Sequence, residues 1–149
     1  MEQEPEFNPF HSLIFLTNRV GRLLAGRIRE EVEEEFANLM PHMGVLVDLW
    51  MKDGIRQREL AVSLIKDKGT IARSLDVLER ENAVVRVPDA TDRRNKRIYL
   101  THRGRDLRRR LLPHAEVVMA RATEGLDEEA LAACRSVLVA MYWNLNREG

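Results

Sequence analysis

Asp67-Lys68-Gly69-Thr70-Ile71-Ala72-Arg73-Ser74-Leu75-Asp76-Val77-Leu78-Glu79 sets the architecture of this chain. Asp67 is placed to cap a helix from Lys68 to Glu81, because its carboxylate can accept a backbone N–H of the first turn. Ile71, Leu75 and Leu78 recur at helical spacing, with Val77 beside them, so one face is apolar. Lys68, Thr70 and Arg73 fall on the opposite face. Asn82 stands where a left-handed residue ends a helix, a conformation Asn tolerates. Upstream, residues 56–65 repeat the spacing at Leu60, Ala61, Leu64 and Ile65. Two short helices on a tight turn form a helix-turn-helix, whose second helix can enter a DNA major groove.

Downstream the period changes. Ala83-Val84-Val85-Arg86-Val87 and Lys96-Arg97-Ile98-Tyr99-Leu100 read as two strands around a polar, turn-rich stretch, giving a hairpin with a charged tip. Thr101 can cap a long helix with Leu107, Leu111, Ala115, Val118 or Met119, and Ala122 on one face; Pro113 is expected to kink it. Asp127 can cap a last helix along Leu131, Val137 or Leu138, Met141, Tyr142 and Leu145.

Working back, Pro41 suits the first turn of a helix whose inner face is Met43, Leu46, Val47, Trp50 and Met51. Lys52-Asp53-Gly54 ends it, and Ile55 supplies a very short extended segment. From Phe10 to about Asn38, Leu13, Leu16 or Thr17, Val20, Leu24, Ile28 and Val32 predict a long amphipathic helix. Gly21 and Gly26 on it would let another helix approach closely. Residues 1–9, with two prolines and three glutamates, are expected to be loosely attached.

Composition narrows the function. Of 149 residues, 44% are hydrophobic and 32% charged, enough for a packed core. One cysteine excludes a disulfide framework and a multi-thiolate zinc site. His11, His42, His102 and His114 lack ligand spacing, so no metal or other cofactor is expected. No apolar run reaches the about 18 residues of a membrane span, and the acidic start is not a secretory signal, so a cytoplasmic setting is expected. The net charge is zero, but residues 56–110 hold 16 Lys and Arg against 8 Asp and Glu, and the rest holds the reverse. Such a chain can present one basic face to an anion.

Four stretches in order resemble the MarR (multiple antibiotic resistance regulator) family of bacterial winged-helix transcription factors. They are Gln57-Arg58-Glu59-Leu60-Ala61, the segment from Asp67 to Glu79, Asp92-Arg93-Arg94-Asn95-Lys96-Arg97, and Tyr99-Leu100-Thr101-His102-Arg103-Gly104. The resemblance runs from about residue 10 to 147. It departs at Arg56, where a small hydroxylated cap is usual, and at Asn82, where Gly is usual. It implies a mainly α fold with a small β-hairpin wing: a winged helix-turn-helix over residues 40–101, flanked by dimerisation helices at 10–38 and 102–147.

The resemblance implies a sequence-specific, double-stranded DNA-binding regulator, a homodimeric repressor released by a small aromatic or amphipathic effector. An arginine near a recognition-helix start can bond a guanine edge with two donors, which favours Arg73, with Thr70 beside it. Lys68 and Ser74 complete that set, and the amides near Gly69 can meet phosphates. Gln57 positions the backbone. Arg93, Arg94, Lys96 and Arg97 repel one another unless a polyanion relieves them, and a wing arginine can enter a narrow minor groove. In the family pattern the wing aspartate orients the arginine two positions on, here Asp92 and Arg94. Arg108, Arg109 and Arg110 are expected to pair with the acidic first and last helices.

The outer helices carry more apolar face than one small winged helix buries. A second copy is the economical partner, bringing two recognition helices onto a palindromic operator. Phe10, Leu13, Ile14, Leu131, Leu138, Met141, Tyr142 and Leu145 are the interface candidates, although some can pack within the subunit. Met43 and Trp50 read as core, and nothing identifies the effector. Cys134 reads as a buried structural thiol. No phosphate loop, nucleophile elbow or zinc-protease motif is present, so an enzyme is not expected. The alternative is a winged-helix protein-interaction adaptor without specific DNA readout.

Overall fold

The computed structural model describes residues 6–147. A 3₁₀ turn at Pro9–His11 leads into α1 (Leu13–Glu31), and a 3₁₀ segment at Glu34–His42 leads into α2 (Met43–Met51). Then come β1 (Ile55–Arg56), α3 (Gln57–Leu64), α4 (Lys68–Arg80), β2 (Val84–Pro88), β3 (Lys96–Leu100), α5 (His102–Ala122) and α6 (Glu128–Leu145). The fold is mainly helical with a small wing. Residues 1–5, part of the stretch expected to be loosely attached, lie outside the described residues.

The first helix is shorter than the spacing predicts. It ends at Glu31, and Val32 is extended (φ −80°, ψ 139°). Glu30, Glu31, Glu33, Glu34 and Glu35 would crowd like charges at three- and four-residue spacing in a continued helix. Side chains on α5 take them up instead: Arg121 bonds Glu31, His114 Nε2 lies 3.1 Å from Glu33 Oε2, and Arg110 Nη2 donates to Glu35 Oε1 at 2.9 Å. The redirected chain buries Phe36 and Leu39 completely. Pro41 therefore lies inside the 3₁₀ segment, two residues before α2, rather than in its first turn. The buried face of α2 is Val45, Leu46 and Leu49. Met43 and Trp50 pack partly buried against the core, whereas Val47 and Met51 are exposed, so the predicted face is rotated by about one position. The Trp50 indole N–H donates to the Gly104 carbonyl at 2.8 Å.

The helix-turn-helix forms as its caps dictate. Asp67 Oδ1 accepts the Thr70 N–H at 2.7 Å, and Asn82 is left-handed (φ 55°) just past α4. Ile65, also left-handed (φ 55°), makes the turn between the helices and is exposed rather than core. Leu60, Ile71, Leu75 and Leu78 are buried in one core with Phe36, Leu46, Ile98, Leu107 and Leu111.

The sheet is antiparallel in the order β1-β3-β2. Val84 pairs with Leu100, Arg86 with Ile98 and Arg56 with Arg97. Alternation sets its faces: Val84, Ile98 and Leu100 are buried, and Val85, Val87 and Tyr99 are exposed. Gly104 lets α5 start against the α4–β2 junction, since a Cβ there would sit 2.0 Å from the Ala83 carbonyl oxygen. The α5 helix runs from His102 to Ala122 unbroken at Pro113. Neither α1 nor α6 contains a buried residue. Among the described residues nothing lies within 4 Å of a Cβ at Gly21 or Gly26, so no described helix of the same protomer uses the close approach they permit.

Candidate nucleic-acid interface

Three elements converge on one side of the fold: the N-termini of α3 and α4 and the wing. Gln57, Arg58, Lys68, Arg94, Asn95 and Lys96 line a cleft of about 430 Å³ between them. Four sequence-predicted residues, Gln57, Lys68, Arg94 and Lys96, are thus brought together. Arg58 and Asn95 complete the wall. The spacing singled out neither, because Arg58 lies on a helix whose apolar face was the clearer signal. With four cations and two amides, the cleft suits an anion bearing several oxygens.

The α4 N-terminus carries a hydrogen-bond chain. The Thr70 hydroxyl donates to Asp67 Oδ2 at 2.9 Å, and Arg73 Nη2 donates to Thr70 Oγ1 at 3.1 Å. Bonds from the Thr70 amide and then its hydroxyl hold the Asp67 carboxyl below its ordinary value. The chain orders the exposed Arg73 guanidinium over the first turn. A Cβ on Gly69 would lie 3.3 Å from Arg73 Nη1, so glycine leaves that arginine room. Ser74 does not belong to this surface. It is buried, and its Oγ shares a 2.9 Å hydrogen bond with His42 Nδ1, so a groove ligand cannot reach it.

The wing is built around Asp89, which reads in the sequence only as a turn residue. It is 3% exposed. Its Oδ1 accepts the Thr91 N–H and hydroxyl, each at 2.9 Å, and its Oδ2 accepts Arg56 Nε at 3.1 Å and Arg97 Nε at 3.0 Å. The Thr91 amide and hydroxyl, aided by the two arginines, hold its carboxyl well below the usual carboxylate range. Arg97 also donates to the Gly54 carbonyl at 2.9 Å, so it braces the wing's base and leaves Arg93, Arg94 and Lys96 as the tip cations. Asp92 Oδ1 accepts the Arg94 backbone N–H at 3.1 Å and Oδ2 accepts Asn95 Nδ2 at 3.1 Å. Asp92 therefore fixes the backbone of Arg94, not its guanidinium. On the far side, Arg86 Nε donates to Glu79 Oε1 at 3.0 Å and its Nη2 also bonds Asp76, tying β2 to α4.

Elsewhere the arginines of α5 divide. Arg110 pairs with Glu35 as expected and lies over the Phe36 ring, 4.5 Å from its centroid. Arg109 pairs within its own helix, with Asp106. Arg103 and Arg105 donate to the Glu81 and Leu100 carbonyls, at 3.0 and 3.1 Å.

Phe10, Leu13, Ile14, Leu138 and Leu145 are exposed in the protomer. Leu131, Met141 and Tyr142 are half-buried. The Tyr142 hydroxyl donates to the Ser63 carbonyl at 2.9 Å, which seats this residue on its own subunit. Cys134 is exposed, not buried, because α6 covers no core. Among the described residues no group of three or more metal-ligating side chains converges, and no helix is long and apolar enough to cross a membrane.

Comparison with known proteins agrees with this geometry. The MarR family model matches residues 40–96. The HTH-type transcriptional regulator TtmR of Methylorubrum extorquens (strain PA1) is 37% identical over 90 residues, 59% of this chain; the match spans 45% of that relative's length. CouR from Rhodococcus jostii RHA1, crystallised with p-coumaroyl-CoA, superposes with a TM-score of 0.75 at 26% identity, covering 91% of this chain and 95% of CouR. A MarR-family regulator from Listeria monocytogenes, crystallised with a 26mer DNA, shares the fold with a TM-score of 0.80 at 21% identity, covering 92% of this chain and 91% of that one.

Proposed function

We propose that this chain, whose residues 40–96 match the MarR family model, is a sequence-specific, double-stranded DNA-binding transcriptional regulator of that family. In this reading it is a homodimeric repressor released by a small-molecule effector, and not an enzyme. Residues 40–101 form the DNA-binding lobe, and 10–38 with 102–147 form the dimerisation region. It acts in the cytoplasm on a palindromic operator.

The observation that carries the reading is the basic cleft shared by the α3 and α4 N-termini and the wing. Arg73 and Thr70 face bases in the major groove. Lys68, the Gly69 amide and Gln57 meet phosphates. The wing, shaped by Asp92, presents Arg93, Arg94 and Lys96 to the adjacent groove. Phosphate contacts fix register and base-edge contacts choose sequence. A two-fold dimer would set the two α4 helices about 34–36 Å apart, one DNA turn. The exposed apolar faces of α1 and α6 supply the dimer surface. CouR's bound p-coumaroyl-CoA supports an effector with an aromatic acyl group.

Fluorescence anisotropy over a salt series tests the reading, with a duplex from the protein's own upstream region and a random duplex. Tighter binding to the upstream duplex is expected. Equal, weak, steeply salt-dependent binding to this and every other candidate operator would instead favour the protein-interaction adaptor.

A further inference from the structure

A cleft of about 470 Å³ opens between the Glu34–His42 segment and the C-terminal end of α4. It shares no residue with the DNA-facing cleft. Both walls are fixed. On one, Phe36 and Leu39 are fully buried and anchor the chain around Ala37 and Asn38, and the 2.9 Å bond to Ser74 holds His42. On the other, the Glu81 N–H donates to the Val77 carbonyl at 2.9 Å, and the Glu81 carbonyl accepts Arg103 Nε at 3.0 Å. Ala37, Pro41 and Val77 give the cleft an apolar side. Its polar groups are the Arg80 guanidinium, the Glu81 carboxylate, the Asn38 amide and the His42 ring. The ion pairs among the described residues use neither Arg80 nor Glu81. Adjacent residues on a helix do not face each other, so these two charges have no ready way to neutralise one another. With Nδ1 turned to Ser74, Nε2 is the His42 atom left for a ligand.

We propose that this cleft binds a small zwitterionic amino acid, its carboxylate on Arg80 and His42, its ammonium on Glu81 and its side chain against Ala37, Pro41 and Val77. The charges select that class. A simple anion would meet the Glu81 carboxylate and the negative end of the α4 dipole, and a simple cation would meet the Arg80 guanidinium. A ligand bearing both charges on one carbon complements both. The guanidinium can bond a carboxylate with two donors. The volume lies within the about 300–1,000 Å³ of ordinary ligand sites, which join an apolar lining to a few placed polar groups. Because the walls are already held, binding orders little besides the Arg80 and Glu81 side chains. A bound amino acid joins the end of α4 to the Glu34–His42 segment and so stabilises the folded protein. The site rests on this cleft alone and stands whether or not the chain prefers one duplex.

The test is calorimetric titration of the full chain with L-leucine, with L-leucinamide, which lacks the carboxylate, and with 4-methylpentanoate, which lacks the ammonium. Leucine is expected to bind, and each single-charge analogue to bind about tenfold more weakly. Alanine, which leaves the apolar side uncovered, should bind several-fold more weakly than leucine. Arg80→Gln should lose about tenfold for leucine and bind leucine and leucinamide alike. Glu81→Gln should lose as much and bind leucine and 4-methylpentanoate alike. Neither residue belongs to the buried core, so both variants should melt close to wild type without ligand. Leucine should then raise the melting temperature of wild type and of neither variant. No binding of leucine or alanine at millimolar concentration overturns the site. Equal binding of leucine to wild type and both variants does the same. Binding of 4-methylpentanoate as tight as that of leucine, with a loss in Arg80→Gln alone, would overturn the zwitterion and leave a plain anion site.

Discussion

Arg56 lies directly opposite Arg97 across the β1–β3 pair, and both aim Nε at one oxygen, Asp89 Oδ2, at 3.1 and 3.0 Å. Like charges at directly opposed strand positions repel. Asp89 turns that repulsion into the brace that holds the wing to β1. Asp89→Asn puts an amide between donors on both sides, since Asn offers one acceptor where four bonds now end. The variant should melt a few degrees lower and bind duplex DNA more weakly, because Arg94 and Lys96 lose their fixed base. The sign of the pH effect follows from the lowered carboxyl. Its stabilisation is complete above the unfolded value of about 3.9 and is lost as pH falls through the lower folded value. Thermal melts from pH 7 to pH 2 should show an acid limb in wild type that Asp89→Asn flattens.

Gly104 sits where α5 passes the Ala83 carbonyl, and a Cβ would come within 2.0 Å of that oxygen. Backbone must move to admit it. Gly104→Ala should cost about 1–3 kcal/mol or more, as overpacked sites do. The shift also strains the bond from Trp50 to the Gly104 carbonyl. Denaturant midpoints, with Trp fluorescence as one probe, measure both; a midpoint equal to wild type would contradict the packing.

The elements of this fold differ in how far the sequence revealed them. The α4 helix is legible because its signals are local: a capping Asp67, a period of three and four, and a left-handed Asn82. The end of α1 is not, because His114, Arg110 and Arg121, about 80 residues away in sequence, decide where Glu33, Glu35 and Glu31 go. The same limit separates Arg73 from Ser74. Adjacent polar residues look equally available, but only Ser74 has a partner in His42. In the wing the surplus of positive charge is plain, yet which cation braces and which reaches outward depends on a buried carboxylate.

That division predicts different phenotypes for two arginines. Arg94 stands at the wing tip and acts as a groove cation. Arg94→Ala should weaken binding to all duplexes and lower the salt slope by about one. Arg73 is ordered over the α4 N-terminus through Thr70. Arg73→Ala should instead relax preference at one base pair of each half-site, worth about 1–3 kcal/mol. Anisotropy against a panel of single-base operator variants separates the two; wild-type selectivity in Arg73→Ala would remove α4 from base readout.

His42 ties the start of α2 to the buried Ser74 of α4, and burial lowers its pKa from the ordinary 6.5. The folded protein therefore favours the neutral imidazole. Its contribution to stability is complete above pH 6.5 and is lost as pH falls through the lower folded value. Urea midpoints should hold level from pH 8 to pH 7 and decline below 6.5, with a shallower decline in His42→Asn. Ser74→Ala should cost about 0.5–1.5 kcal/mol near neutral pH, the ordinary worth of one hydrogen bond. An identical pH profile in wild type and His42→Asn would place the titrating group elsewhere.

Ile14 on α1 and Leu138 on α6 are exposed in the protomer, and neither helix contains a buried residue. Burying one such side chain is worth about 1.5–3 kcal/mol, so several together can hold a dimer. Wild type should sediment at twice the monomer mass. Ile14→Arg and Leu138→Arg should each shift it toward the monomer, because an unpaired guanidinium cannot enter an apolar contact cheaply. The winged-helix core would remain intact, since neither residue belongs to it. DNA affinity should fall steeply all the same, because one lobe alone keeps only half of the contacts to a palindrome. Monomeric wild-type protein, or arginine variants that stay dimeric, would move the interface off these helices.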